Sequence, residues 1–173
     1  TPGLNHLGRM LMDERDRLRP RPPWTRAAVT GHRPEQFTPD EQEWVTTQIR
    51  DILQRLHNEH GTTTALTGMA RGVDTWFAQA ALDTGHTLWA YIPFTTQADT
   101  WDTHDRTQWR QLRTQSARTI TLGTASHNAL YHHRNDLLIR DSDVLIGVHV
   151  EFPTSNGTAS TMAKATQQGR RII

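Results

Sequence analysis

Short apolar runs alternate along this chain with longer segments whose apolar residues recur at helical spacing. Residues 27–30 form a run that stops at Gly31, as a buried strand would. A helix is expected from about Asp40, with Thr38 and Asp40 as candidate caps and Pro39 suited to its start. Glu41 and Glu43 suit the positive end of its dipole. Val45, Ile49, Ile52 and Leu56 mark one face of that helix, and His60-Gly61 stops it. Residues 64–67 read as a second strand, again ending at a glycine, Gly68. Val73, Trp76, Phe77, Ala80 and Ala81 give a second helix that Gly85 ends. Residues 87–92 are a third strand closed by Pro93. The polar, Trp-bearing stretch 95–117 is expected to be helical in its second half, and 119–122 to be a fourth strand. Residues 127–140 read as helix and 144–150 as the clearest buried strand. A last helix from about Thr158 carries Ala159, Met162, Ala163 and Thr166 on one face, is capped by Gly169, and leads into a strand at 170–173.

Strands that alternate with helices predict an α/β, Rossmann-like three-layer fold, with a mostly parallel central sheet and helices on both faces. The length, 173 residues, fits one such domain and would crowd two. Residues 1–26 stand apart. Leu4, Leu7, Met10 and Leu11 fall near helical spacing, a mixed-charge stretch follows, and Pro20-Arg21-Pro22-Pro23 cannot continue a helix. The expected organisation is an N-terminal helix or arm with a Pro-rich linker over 1–26, then the domain over 27–173. The chain opens on Thr1 and closes inside a strand-like run, so native sequence is expected beyond it.

Charge narrows the partners. The formal net charge is +1, which supplies no global field toward nucleic acid or an anionic membrane. No apolar run approaches the roughly 20 residues of a membrane span, and no signal-peptide pattern is present. Cysteine is absent, which rules out disulfides, thiolate zinc sites and a Cys nucleophile. A reducing compartment suits that composition, and the expectation is cytoplasmic. The 10 histidines raise a metal site, but His132-His133 diverge on a helix and His57 and His60 lack an evident third ligand. No metal is expected.

In an open parallel sheet, ligands bind beyond the carboxyl ends of the strands. Three turns in this position carry glycine: Gly31-His32-Arg33, Gly68-Met69-Ala70-Arg71-Gly72, and Asn156-Gly157-Thr158. Glycine lets a ligand approach the main chain, and the amides opening the next helix face an anion. Arg33 and Arg71 add planar forks suited to phosphate or carboxylate. Asp74 either caps the second helix or accepts hydrogen bonds from ligand hydroxyls such as those of a ribose. Thr158 either holds a phosphate or is a plain cap. His32 either reaches the ligand or bonds its own turn. Trp76 and Trp89 are expected in the core. Trp101 and Trp109 either pack or line the pocket mouth. Basic and aromatic residues interleave over 97–113, as in single-strand binders, but Asp99, Asp102 and Asp105 oppose that reading.

The runs Val29-Thr30-Gly31-His32-Arg33-Pro34, Gly68 to Ala78, and Tyr91-Ile92-Pro93-Phe94 resemble the YpsA-like branch of the SLOG superfamily, which unites the SMF/DprA and LOG proteins. Arg134-Asn135, the run Asp141 to Ile146, and Asn156-Gly157-Thr158 extend the resemblance over about 27–173. It implies a modified Rossmann fold that binds nucleotide ligands at these turns, with Pro93 at the site and Arg134 as a phosphate clamp. It also implies self-association into a homo-oligomer. LOG enzymes carry a catalytic Glu soon after their Gly-rich turn, whereas here Thr158-Ala159-Ser160-Thr161 brings no acid. The leading expectation is therefore a module that senses or sequesters a small-molecule nucleotide, with no cofactor certain. Gly31, Arg33, Gly68, Arg71, Asn156, Gly157 and Thr158 would hold phosphate, and Asp74 the sugar. The alternatives are a nucleotide N-glycosidase using Asp74 or Asp143, and behind it a DprA-like binder of single-stranded DNA.

Overall fold

A computed structural model of the protein describes residues 23–150 and 157–173. The expected arm therefore lies outside the described residues except at its end, where Trp24 stacks on His60 with ring centroids 3.8 Å apart. The elements run β1 (Arg26–Gly31), a 3-10 turn (Pro34–Gln36), α1 (Pro39–His60), β2 (Thr64–Thr67), α2 (Val73–Asp83), β3 (Thr87–Ile92) and α3 (Thr103–Gln115). They continue as β4 (Arg118–Thr121), α4 (Asn128–Asp141), β5 (Val144–Val148), α5 (Gly157–Gln167) and β6 (Arg171–Ile172).

The six strands form one sheet in the order β4-β3-β2-β1-β5-β6. Every pairing is parallel, with Ala27 opposite both Ala65 and Val144. Side chains alternate along β1, so Ala27 and Val29 join one core and Ala28 the other. The first core packs α1, α2 and α3 through Val45, Leu53, Phe77 and Leu112. The second packs α4 and α5 through Leu138, Ile139 and Ala165. Burial on both faces explains why the strands read as continuous apolar runs.

Local chemistry sets the element ends. Thr38 Oγ1 accepts from the Glu41 amide at 3.3 Å and Glu41 Oε2 accepts from the Thr38 amide at 2.7 Å, a reciprocal capping box that starts α1. Gly61 closes α1 in the left-handed region at φ 68°. Within α1, Leu53 is fully buried while Ile52 is half-buried at the margin of the apolar face. The expected face holds at Val45, Ile49 and Leu56, and Leu53 rather than Ile52 is its fully buried third position, because steps of four from Val45 and Ile49 reach Leu53.

The chain winds outward from β1 through β2 and β3 to β4, then returns to lay β5 on the other side of β1. The loop after β1 leads to a helix on one face, and α5 follows β5 on the other. This divergence opens a crevice at the carboxyl ends of β1 and β5.

Candidate functional site

A cavity of about 220 Å³ occupies that crevice. The end of β1 and its turn contribute Val29, Thr30, Gly31, His32 and Arg33, and the β2–α2 segment contributes Ala70 and Asp74. Helix α4 supplies Tyr131, His132, Arg134, Asn135 and Leu138, and α5 supplies Gly157, Thr158, Ser160, Thr161 and Lys164. Of the residues expected at the site, the structure brings together Gly31, His32, Arg33, Ala70, Asp74, Arg134, Gly157 and Thr158. Asn156 lies outside the described residues.

Close approach of backbones builds the floor. A Cβ on Gly31 would meet the Val73 side chain at 2.4 Å, so glycine lets β1 end against the start of α2. Gly72 takes φ 91°, and a Cβ there would lie 2.6 Å from the His32 carbonyl. The two turns are joined where the Val73 amide donates to that carbonyl at 3.3 Å. Thr67 Oγ1 donates to the Asp74 carbonyl at 2.9 Å and accepts from the Met69 amide at 3.2 Å, which closes the β2–α2 turn on itself.

Two buried charges face each other across the floor. Asp74 is 7% exposed and Arg134 8%. Asp74 Oδ2 accepts from the Ala70 amide at 3.2 Å, so its carboxylate braces the preceding turn rather than capping α2. Arg134 Nη1 donates to the Gly68 carbonyl at 2.8 Å and Nε to Asn135 Oδ1 at 3.0 Å, and its guanidinium lies 5.7 Å from the Tyr131 ring centre. Burial pushes the Asp74 carboxyl above its ordinary value, opposed by the charges of Arg134 and Arg33 and by the Ala70 N–H. Burial likewise pulls Arg134 down, and Asp74 opposes it. His32 is held below its ordinary value by burial, then by His149, whose ring centre is 5.2 Å away. The imidazole is therefore neutral at pH 7.

Other expected residues lie outside the lining. Arg71 Nη1 pairs with Glu35 at 2.8 Å and its Nε with Asp105 at 2.8 Å, so this guanidinium ties the turn after β1 to the start of α3. Gly68 backs onto Arg134, where a Cβ would meet the guanidinium carbon at 2.7 Å. Met69 is fully buried in the first core, and Pro93 is buried in the turn after β3. Asp143 sits at the opposite end of the sheet, where its Oδ2 accepts from the Arg26 amide at 2.9 Å. Trp109 packs in the core with Nε1 donating to Gln97 Oε1 at 3.1 Å, and Trp101 packs beside it. His57 and His60 part company: His57 Nδ1 lies 3.0 Å from the Thr62 carbonyl, while His60 stacks on Trp24. Among the described residues, one group has ligand atoms spaced for a metal, Asp102, His104 and Asp105, and Arg71 occupies Asp105.

The sequence reading omitted Tyr131, Thr161 and Lys164 from the site. Thr161 Oγ1 accepts from Asn135 Nδ2 at 3.1 Å and donates to the Gly157 carbonyl at 3.0 Å, locking α4 to the first turn of α5. Lys164 pairs with Asp136 at 2.9 Å in the same seam. The Arg134-Asn135 pair and the Thr-rich start of α5 were the available signals.

Known proteins share the fold that positions this cavity. DNA processing protein A (DprA) from Streptococcus pneumoniae is 18% identical, matched over 86% of this chain and 49% of its own, with a TM-score of 0.63. The chain thus spans about half the length of that protein. DprA from Helicobacter pylori, whose single-stranded DNA binding has been studied, is 18% identical over 85% and 63% of the two chains, with a TM-score of 0.58. The molybdenum cofactor carrier protein of Chlamydomonas reinhardtii is 17% identical over 88% and 75%, with a TM-score of 0.55. Identities this low show a shared fold. No curated protein matches the chain. The model of the YspA SLOG family matches residues 27–172, and the chain belongs to that family.

Proposed function

We propose that this protein binds a nucleotide or nucleotide-derived small molecule in the crevice between β1 and β5, as a sensor or sequestering module. The observation that carries the reading is convergence. The first turn of α5, the Arg33 guanidinium and a buried Asp74–Arg134 couple, brought from distant parts of the chain, line one cavity. The amides at Gly157 and Thr158 and the positive end of the α5 dipole suit a phosphate. Arg33 is exposed, and no acid pairs with it among the described residues, so its fork is available to the same anion. Asp74 accepts one hydrogen bond, from the Ala70 amide, and a carboxylate has room for several more. Ribose hydroxyls would supply the donors. A volume near 220 Å³ is below the ~300–1,000 Å³ of sites that enclose a drug-sized ligand. The cavity therefore takes the phosphate and sugar and leaves the base at its rim. Neighbours that bind single-stranded DNA or carry the molybdenum cofactor support ligand binding in general and do not select the ligand.

One observation favours hydrolysis as the second reading. Asp74 is an acid whose burial favours its protonated form, and such a group can protonate a leaving base. Incubation with nucleoside mono- and diphosphates and NAD derivatives, followed by mass spectrometry and thermal denaturation, separates the readings. Binding predicts stabilisation with unchanged ligand recovered after denaturation. Release of free base moves the protein to the hydrolase reading. No stabilisation by any member of the panel overturns the assignment of this cavity to nucleotides.

A further inference from the structure

The interleaved basic and aromatic stretch in and before α3 plays no part in the cavity. The structure sorts its charges. Asp102 caps α3, its Oδ1 accepting from the Asp105 amide at 2.9 Å, and Asp105 is engaged by Arg71. Both acids sit at the start of the helix, on the cavity side of the sheet. Arg110 and Arg113 lie in the second half of α3 and Arg118 opens β4, so these three lie toward the other end. All three are exposed, and none has an acidic partner among the described residues.

These arginines flank an open strand. β4 is the last strand of the sheet on its side and pairs with β3 alone, so its outer edge leaves backbone groups without a strand partner among the described residues. A shallow groove runs between α3 and this edge, lined by Arg110, Arg113, Thr114 and Thr119. On the opposite face of the sheet, the Arg118 guanidinium lies 4.9 Å from the Trp89 ring centre. The Arg113 guanidinium lies 5.6 Å from that of Trp109. Stacking of this kind pre-positions both forks.

We propose that the β4 edge docks an extended acidic peptide segment of a partner protein, added to the sheet as a further strand. Backbone pairing along the edge supplies the register. Successive side chains of an added strand point to opposite faces, so carboxylates on one face meet Arg110 and Arg113 and those on the other meet Arg118. A second copy of this chain would bring arginine against arginine, and like charge disfavours that occupant. A nucleic acid strand would need open aromatic faces for its bases. Trp109 is buried, and Trp89 is half-buried beside both Arg118 and Arg26, the latter at 5.8 Å.

The test is a fluorescence-anisotropy titration of the whole protein with a labelled peptide of repeating Glu-Glu-Val-Val, which as a strand carries carboxylates on both faces. The comparison probes are the same peptide N-methylated at every amide, which keeps its charge but leaves neither edge a donor, and a labelled oligothymidine. The expected result is saturable binding of the parent peptide, weakened about tenfold by N-methylation and at least as much by the combined Arg110→Glu, Arg113→Glu and Arg118→Glu changes. Arg113 and Arg118 touch tryptophans, so Arg110→Glu alone serves as the variant with no ring contact, and it should weaken binding about threefold without shifting the melting temperature. Equal binding of the methylated peptide overturns edge addition. Unchanged binding in both variants, or no binding of the parent peptide, overturns the site. Oligothymidine binding more tightly and lost in the same variants would assign the surface to nucleic acid instead.

Discussion

Arg134 Nη1 donates to the Gly68 carbonyl at 2.8 Å, and a Cβ on Gly68 would lie 2.7 Å from the carbon of that same guanidinium. The glycine ending β2 thus makes room for a charge delivered from α4, 66 residues later in the chain. Gly68→Ala should push Arg134 off its carbonyl and out of the cavity floor. The expected stability loss is about 1–3 kcal/mol, the usual cost of overpacking. Ligand-induced stabilisation should fall further than stability does. Urea denaturation with and without nucleotide measures both, and an alanine variant that binds as the parent does would remove Arg134 from the site.

Arg71 and Arg33 are expected to differ although the sequence presents them alike. Arg71 is held by Glu35 and Asp105, each at 2.8 Å, in a half-buried cluster. Arg71→Ala should cost about 1 kcal/mol of stability, less at high salt, and change affinity little. Arg33→Ala should leave stability within about 0.5 kcal/mol and weaken nucleotide binding about tenfold or more, the loss of a charge-assisted hydrogen bond. Parallel melting and binding titrations of the two variants check this, and a reversed order of effects would place the phosphate beside Arg71.

Asp74 gives a pH signature. Its folded carboxyl is raised above the ordinary 3.8 chiefly by burial, net of the pull from Arg134, the Ala70 N–H and Arg33. The folded state therefore holds this proton more tightly than the unfolded chain. The group's contribution to stability is complete below about 3.8 and declines as pH rises from there through the raised folded value. Asp74→Asn should flatten that decline and be at least as stable as the parent at pH 7, while binding nucleotide more weakly because one acceptor oxygen is lost. Denaturation midpoints across pH decide the matter. An Asn variant markedly less stable at pH 7 would mean that Arg134 depends on the carboxylate more than burial opposes it.

The strand–helix alternation was legible because β1, β2, β3 and β5 are buried on both faces and each stops at or near a glycine or proline. Local rules also sufficed for Thr38, whose capping box spans four residues. The glycine turns at the strand ends were legible, since an open parallel sheet binds ligands beyond its carboxyl ends, but the crevice between β1 and β5 needed the strand order. What could not be read was which side chains turn inward. Arg71 looks like a phosphate ligand until Glu35 and Asp105, separated from it by some 35 residues on either side, are seen beside it. Asp143 looks equivalent to Asp74 until the sheet direction puts the two at opposite ends. Tyr131 faces the cavity because α4 crosses back over the sheet to reach β5, and Thr161 because α5 then packs against α4, packing choices with no local signature.

Gly157 separates folding from binding most cleanly. It opens α5 on the cavity wall, and a Cβ built there meets nothing within 4 Å among the described residues, unlike one at Gly31 or Gly68. Gly157→Ala should fold with stability equal to the parent or up to about 1 kcal/mol higher, through the smaller entropy of the unfolded chain. Gly157→Val should fold as well, a few tenths of a kcal/mol less stable than the alanine variant because valine prefers helix less than alanine does. Both side chains would stand in the space through which an anion reaches the first amides of α5, and valine fills more of it. Nucleotide-induced stabilisation should therefore shrink with alanine and vanish with valine, while the melting temperature without ligand barely moves. If the valine variant melts normally and is stabilised by nucleotide as fully as the parent, the phosphate does not sit at the start of α5.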